Sequence, residues 1–140
     1  MSVGKFFLDT NIFVYTFDSA APGKQEISRQ LVSNAINTRH GVISYQVVQE
    51  FYNVVFTRFP GTMSHAEGYL YFGNVFRPLF SVSFSPALLF QAIRIRELYG
   101  LSWHDSLIVS AALEVDCEIL YSEDFQHGQK FGELTVRNPF

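Results

Sequence analysis

Residues 5–17, KFFLDTNIFVYTF, carry two apolar runs separated by a short polar break. Lys5 to Leu8 predicts a buried strand, and the apolar run from Ile12 to Phe17 follows it as a helix-like segment. Asp9-Thr10-Asn11 occupies the junction, so an acidic side chain comes directly after a strand. Strands and helices alternate outward from this junction along the rest of the chain.

Helices are predicted for residues 24–38, 45–58, 65–77, 86–99 and 102–115, and further strands for 42–43, 81–84, 118–121 and 134–136. Such alternation favours right-handed βαβ crossovers. We therefore predict an α/β fold in one domain, residues 1–140. Its architecture is a three-layer α/β/α sandwich around a mostly parallel sheet of about four or five strands.

Several element boundaries have recognisable local signals. Ser64 and Glu67 form a capping-box pattern, and Ser85 followed by Pro86 marks another helix start. Gly100 is placed as a C-terminal stop. Further boundaries are predicted at Ser44 as a helix cap, at the breaks Ala20–Gly23 and Pro60-Gly61, at Pro78, which ends a helix near Arg77, and at Leu134–Val136 as a last edge strand.

The composition predicts a well-packed domain with some apolar surface to spare. Hydrophobic residues make up 48% of the 140 residues, and 15 are Phe, so part of this surface is expected to contact a partner. No apolar run reaches the roughly 18 residues that cross a membrane. Met1 to Lys5 lacks a signal-peptide apolar stretch, and the single Cys117 excludes an internal disulfide. These features predict a cytoplasmic location.

Four acidic residues are predicted to meet at one edge of the sheet: Asp9, Glu50, Asp105 and Asp124. Asp9 and Asp124 follow strand candidates, and parallel sheets bind ligands at the carboxyl ends of their strands. Crowded carboxylates need a positive partner, and oxygen ligands suit one or two Mg²⁺ or Mn²⁺ ions. The predicted chemistry is phosphodiester cleavage.

Each acid also has a purely structural interpretation. Asp9 is placed to be a helix N-cap, and Asp105 to complete a capping pattern and interact favourably with the helix dipole. Asp124 lies in a turn-like segment beside Glu123, and only one of these two need point inward. Glu50 lies half on an apolar helix stripe, where a carboxylate usually needs a buried partner or a function.

The net charge of −3 does not exclude a nucleic-acid substrate. Of 13 acidic and 10 basic residues, the four candidate ligands account for the acidic excess, and without them the rest of the chain carries +1. There is no Lys/Arg-rich block, so strong non-specific binding to nucleic acid is not indicated.

Four segments resemble, in order and approximate spacing, the motifs of PIN-domain ribonucleases. They are Phe7-Leu8-Asp9-Thr10-Asn11-Ile12, Gln49-Glu50-Phe51, Trp103-His104-Asp105-Ser106-Leu107-Ile108 with Ala111-Ala112, and Tyr121-Ser122-Glu123-Asp124-Phe125. By size, the chain is most similar to the VapC-type toxins of type II toxin–antitoxin modules. The resemblance implies a metal-dependent endoribonuclease that acts on RNA and binds an antitoxin protein.

Within this resemblance we expect Asp9 and Asp105 to bind the metal directly, and Glu50 and Asp124 to complete the pocket. Asn11 and Ser122 are expected to support the site through hydrogen bonds, although a helix start and a turn explain them equally well. The four histidines show no zinc spacing. His104 is predicted to point to a different helix face from Asp105, not to act as a base.

Two other functions are alternatives. A phosphatase or phosphotransferase on a similar sheet would carry Asp-x-Asp after the first strand, but Asn11 holds the second position. A binding module that keeps the PIN fold without turnover is the non-enzymatic alternative, against which the four acids argue.

The predicted helices 45–58 and 65–77 carry more aromatic residues than a small core is expected to cover. A subset is predicted to form a homodimer face or a groove for an antitoxin helix. The seven are Phe51, Tyr52, Phe56, Tyr69, Tyr71, Phe72 and Phe76.

Overall fold

The computed structural model of the protein describes residues 4–58 and 61–140. Met1 to Val3 and the predicted break at Pro60 lie outside the described residues. The strands are β1 (Phe6–Leu8), β2 (Gly41–Ser44), β3 (Phe80–Val82), β4 (Ile119–Tyr121), β5 (Lys130–Phe131) and β6 (Leu134–Arg137). The helices are α1 (Thr10–Tyr15), α2 (Pro22–Thr38), α3 (Tyr45–Arg58), α4 (His65–Tyr71), α5 (Arg77–Leu79), α6 (Pro86–Tyr99) and α7 (Trp103–Glu114), with a π-helical turn at Phe72–Phe76 between α4 and α5.

The strands form one sheet in the order β3-β2-β1-β4-β6-β5, and only the β5–β6 pair is antiparallel. This confirms the predicted α/β class with a mostly parallel sheet. The sheet has six strands because Lys130–Phe131 turns back to pair with β6. The prediction of residues 134–136 as an edge strand is wrong, since β6 lies between β4 and β5.

The chain reverses its direction across the sheet at β1. It steps from β1 to β2 and β3 on one side, and later places β4 on the other side of β1. Ligands of such sheets bind beyond the carboxyl ends of the strands at this reversal. The backbone N–H of Asp9 donates to the carbonyl of Tyr121 at 3.1 Å, so the residues that follow β1 and β4 start side by side.

The uniformly apolar sequence of β1 reflects its place at the centre of the sheet. Phe6, Phe7 and Leu8 are 6%, 0% and 0% exposed. Strands of parallel sheets are buried on both faces, so they carry continuous apolar runs instead of the alternation of half-buried strands. This rigid central strand fixes the position of the acidic residue that follows it.

Several predicted helix ends are confirmed by their hydrogen bonds. Ser64 Oγ accepts from Glu67 N at 3.1 Å, and Glu67 Oε1 accepts from Ser64 N at 3.2 Å. Ser85 Oγ accepts from Leu88 N at 3.1 Å. Gly100 ends α6 with a φ of 68°, the left-handed conformation that glycine adopts without steric cost.

Two predicted boundaries are wrong. Ser44 does not cap α3, because it is the last residue of β2 and its Oγ is buried without a hydrogen-bond partner among the described residues. The helical path continues past Arg77, because Pro78 lies in the first turn of α5, where its missing N–H is not needed. The Arg77 N–H donates to Phe72 O, the wider hydrogen bond of the π-helical turn.

Two further features concern the helices and the single cysteine. Within residues 4–58 and 61–140, no helix is long and apolar enough to cross a membrane. Cys117 is a free, buried thiol, and burial raises its pKa to about 12. It therefore stays protonated and packs as a small hydrophobic residue.

Candidate active site

Asp9 lies where β1 ends and α1 begins, and both oxygens of its carboxylate accept hydrogen bonds. Oδ1 accepts from the backbone N–H of Thr10 at 2.7 Å, and Oδ2 accepts from Ser122 Oγ at 2.7 Å. The side chain is almost completely buried, at 3% exposure. Asp9 is thus the helix N-cap that the structural interpretation predicted, and it is also a buried carboxylate held in one orientation.

The surroundings of Asp9 disfavour its negative charge. The pKa of the carboxyl is raised from 3.8 to about 6, chiefly by burial, and the hydrogen bonds from Ser122 and Thr10 oppose this rise. The charges of Asp124 and Glu50 contribute to the rise. A buried carboxylate with two acidic neighbours is stabilised most effectively by a cation, so this position suits a metal ligand.

Ser122 joins the end of β4 to Asp9. Its Oγ donates to Asp9 Oδ2 and also accepts from the backbone N–H of Asp124 at 3.1 Å. Partial burial raises the pKa of Asp124, and the nearby charges of Asp105 and Glu123 raise it further. One buried hydroxyl therefore orients one carboxylate and fixes the turn that presents a second.

We expect Ser122→Ala to lower the free energy of unfolding by about 1–3 kcal/mol, because Asp9 Oδ2 loses its donor in a buried position. Urea unfolding at neutral pH measures the change. Ser28→Ala is the matched control, since Ser28 Oγ is fully buried and has no hydrogen-bond partner among the described residues. Removing that hydroxyl should be neutral or stabilising. Equal losses in the two variants would contradict the role given to Ser122.

Glu50 reaches the same edge of the sheet from the second turn of α3. Its Oε2 accepts from Thr10 Oγ1 at 3.0 Å, and its Oε1 accepts from Gln46 Nε2 at 3.1 Å. Oε1 also lies 2.8 Å from His104 Nδ1 at the start of α7. Glu50 thus has the buried partners that its place on an apolar stripe requires.

Glu50 and His104 stabilise each other's charged form. Burial alone would raise the pKa of Glu50, but hydrogen bonds from His104, Gln46 and Thr10 lower it below its usual value. The hydrogen bond to Glu50 in turn raises the pKa of His104. With His104 Nδ1 donating to Glu50, the Gln46 amide is left to donate to the backbone carbonyl of His104 at 3.2 Å.

Asp105 lies in the first turn of α7, where its backbone N–H donates to Ser102 Oγ at 3.1 Å. Asp105 is half-buried, and its charge raises the pKa of both Asp124 and His104. Asp105 therefore belongs both to the helix start and to a group of four acids, Asp9, Glu50, Asp105 and Asp124, which we call the acidic cluster.

Glu123 points away from this cluster. Its Oε1 accepts from Tyr15 Oη at 2.5 Å and from Asn11 Nδ2 at 3.4 Å, and its Oε2 lies 3.0 Å from Lys24 Nζ. Glu123 therefore bonds to side chains of α1 and α2. It is the charge of the adjacent Asp124 that raises the pKa of Asp9. Asn11 contacts Glu123 and, through it, the turn after β4.

The acidic cluster fits a divalent cation by its donor chemistry. Asp9, Asp105 and Asp124 offer hard oxygen ligands from three different elements, and the negative charges around Asp9 and Asp124 raise their pKa values. In the described part of the chain, no three Asp, Glu, His or Cys side chains converge on one point as a ready metal site. Glu50 is itself paired with His104 at 2.8 Å.

Sequence reasoning missed three contributors to this site: Thr10, Gln46 and His104. Gln46 precedes Glu50 by one helical turn, so its contact was visible in the spacing. The pairing of His104 with Glu50 joins residues 54 positions apart on two helices, and no local pattern contains it. His104 does point to a different neighbour from Asp105, as helical spacing predicts.

Several solved structures share this fold. A toxin-antitoxin complex from Klebsiella pneumoniae gives a TM-score of 0.68 at 15% identity, covering 97% of this chain and 98% of that chain. VapC20 from Mycobacterium tuberculosis, a Sarcin-Ricin loop cleaving toxin, gives 0.65 at 14% identity, with coverages of 87% and 90%. FitAcB from Neisseria gonorrhoeae gives 0.62 at 17% identity, with coverages of 96% and 97%.

Sequence comparison identifies the family. No curated protein matches the chain. A family profile described as the PIN domain matches residues 6–130, a span that includes Asp9, Glu50, Asp105 and Asp124. Because this match covers most of the chain, the protein belongs to the PIN-domain family.

Proposed function

We propose that the protein is a metal-dependent endoribonuclease and the toxin of a toxin–antitoxin module. The observation that carries the proposal is the acidic cluster beyond the carboxyl ends of β1 and β4. There the charges of Asp124 and Glu50 add to burial in raising the pKa of Asp9. Membership of the PIN family and the likeness to toxin structures support the same function.

In this proposal Asp9 and Asp105 are direct ligands of Mg²⁺ or Mn²⁺, and Glu50 and Asp124 complete the pocket directly or through water. One or two ions, when bound, would supply an activated water and stabilise charge on the cleaved phosphate. Ser122 holds Asp9 in its orientation. Gln46 and His104 hold Glu50 at the edge of the pocket, and Asn11 contacts the turn that carries Asp124 through Glu123.

The charge distribution favours a substrate that is bound mainly at this site. The chain has 10 basic and 13 acidic residues, so its phosphate affinity away from the metal is expected to be weak. Residues 1–140 act as one nuclease domain in this proposal, and they work in the cytoplasm, where an RNA substrate is present.

Metal-dependent cleavage of a single-stranded RNA tests the function. The purified chain should cut the RNA internally in Mn²⁺ and leave it intact in EDTA. A non-catalytic PIN module would bind RNA without cutting it in either buffer. Release of inorganic phosphate from a phosphomonoester, with RNA left whole, would favour the phosphatase alternative.

The proposed partner surface lies on α3, α4 and the π-helical turn Phe72–Phe76. Of the seven aromatics on these segments, Phe51 and Phe76 are completely buried, whereas Phe56, Phe72 and Tyr69 are 41%, 40% and 80% exposed. Exposed and partly buried members line a mostly apolar cavity of about 440 Å³ together with Gly68. An amphipathic antitoxin helix would place its i, i+3 and i+4 side chains in such a groove. A homodimer is the other form of association that we propose for this chain.

Light scattering at micromolar concentration, with and without the product of the neighbouring gene, tests the partner. We expect a heteromeric complex, and we expect Tyr69→Glu to weaken it at least tenfold by placing a charge at the groove. Phe90→Glu is the matched control, because Phe90 is 75% exposed on α6 and lies outside this cavity. A strict monomer that ignores the second protein would end the partner proposal and leave the nuclease proposal standing.

A further inference from the structure

A second groove adjoins the acidic cluster on the side of α3 and α7. It has a volume of about 430 Å³, and Glu50 and His104 form the rim that it shares with the cluster. Its other walls include Gln49 and Asn53 from α3 and Trp103 from the first turn of α7. We call this cavity the side groove. None of these three side chains has a part in the chemistry described above.

The side groove exposes two flat aromatic rings. Trp103 is 42% exposed and Phe84, which precedes α6, is 51% exposed. Phe84 packs against Tyr45, with ring centroids 5.3 Å apart at an interplanar angle of 58°, and this contact restrains the Phe84 ring. Exposed aromatic rings in a groove beside a nuclease site provide surfaces on which unpaired bases stack.

The lining of the side groove on α3 provides carboxamides. Gln49 and Asn53 are one helical turn apart on α3, so both lie on the same face of the helix, and both are exposed. Gln46 lines the groove as well, but its amide already donates to Glu50 and to His104. A carboxamide carries a donor and an acceptor side by side, the pattern that pairs with the edge of a base.

The lining of the side groove offers little to a phosphate group. The described residues that line it include no Lys or Arg, and they do include the carboxylate of Glu50. The groove therefore has flat apolar surfaces and neutral hydrogen-bonding groups, a chemistry that matches an uncharged nucleobase better than a sugar phosphate.

We propose that the side groove binds one unpaired base of the RNA next to the phosphate that is cleaved. Trp103 and Phe84 stack against the base, and Gln49 and Asn53 contact its edge. The inference rests on the proposed nuclease function and deepens it by assigning to this chain a binding position for one base beside the cleaved phosphate.

Trp103 provides a direct signal of occupancy, because it is the one Trp in the sequence. Adenosine 5′-monophosphate, titrated in EDTA so that no cleavage takes place, should quench the indole fluorescence with saturation. Ribose 5-phosphate carries the same phosphate without a base and should have no effect. Absence of saturable quenching by the nucleotide, or equal quenching by both compounds, would overturn the proposal.

Steady-state cleavage of a single-stranded oligoribonucleotide gives the second measurement. Trp103→Ala should raise KM about five- to tenfold with little change in kcat, because stacking is lost equally from the ground state and the transition state. Trp103→Phe should restore most of the affinity. Phe90→Ala, a change at an exposed aromatic outside the side groove, should leave KM unchanged.

The two measurements separate the failure of this inference from the failure of the nuclease proposal. Base-specific quenching in a protein that cuts no RNA would keep the side groove and end the nuclease proposal. Normal cleavage by Trp103→Ala at the wild-type KM would keep the nuclease and end the side groove as a base site.

Discussion

Asp9→Asn and Asp105→Asn proteins are expected to lose RNA cleavage in Mn²⁺ by about a hundredfold or more while remaining folded. Each change removes a ligand charge and keeps the shape of the side chain. Loss of groups that merely support metal ligands already costs about 10- to 100-fold, so a ligand should cost at least as much. Cleavage of a labelled single-stranded RNA by each purified variant measures the effect.

Asp116→Asn is the matched control for this experiment. Asp116 is exposed outside the cluster and has a φ of 57°, a left-handed conformation that Asn also tolerates. Its activity should equal that of the wild type. Full ribonuclease activity in purified Asp9→Asn protein would remove Asp9 from the site and with it the proposed chemistry.

The same Asp9→Asn change should reverse the order of stability between metal-free and metal-containing buffer. In EDTA near pH 8 the variant should be the more stable protein, by up to about 3 kcal/mol, because raising the pKa of Asp9 from 3.8 to about 6 corresponds to that cost for its charged form. The Asn carbonyl can still accept from Thr10 N, and its amide can donate to Ser122 Oγ. In saturating Mn²⁺ the wild type should be the more stable.

The sign of the pH dependence follows from the direction of the pKa shift. The folded state binds a proton at Asp9 more readily than the unfolded state, so the cost is complete above about pH 6 and disappears as the pH falls below 3.8. The advantage of Asp9→Asn in EDTA should therefore vanish near pH 3.5, provided that both proteins remain folded there. Urea unfolding monitored by circular dichroism measures it.

Metal binding gives this experiment a second expected change in the free energy of unfolding. An ion that binds only the folded state stabilises it by about 2.7 kcal/mol at a hundredfold excess over its dissociation constant. Wild type should gain this stability and Asp9→Asn should lose most of it. Equal Mn²⁺ shifts in both proteins would mean that the ion binds elsewhere.

The elements that the sequence predicted well are those whose signals are local. The apolar run before Asp9, the capping box at Ser64 and Glu67 and the glycine after α6 depend on neighbours within a few residues, and each has its counterpart in the structure. The order of strands and helices followed from these local signals together with the handedness of βαβ units.

Contacts between distant segments could not be predicted in the same way. Strand β5, which pairs with β6, consists of only Lys130 and Phe131, and two residues are too few to show a strand pattern in the sequence. Ser44 has the residue type of a helix cap, but pairing with Val82 of β3 keeps it in β2. Likewise, the position of the Glu123 side chain depends on Tyr15 and Lys24 from other elements.

The central position of β1 in the sheet has a consequence for the synthesis of the protein on the ribosome. The acidic cluster combines Asp9, which follows β1, with Asp124, which lies in the turn after β4. Strand β4 can pair with β1 only after more than a hundred intervening residues have been made. A nascent chain that stops short of this turn lacks both Ser122 and the last carboxylate. Under the proposed function, the nascent chain on the ribosome is therefore inactive until residues 122–124 have been made.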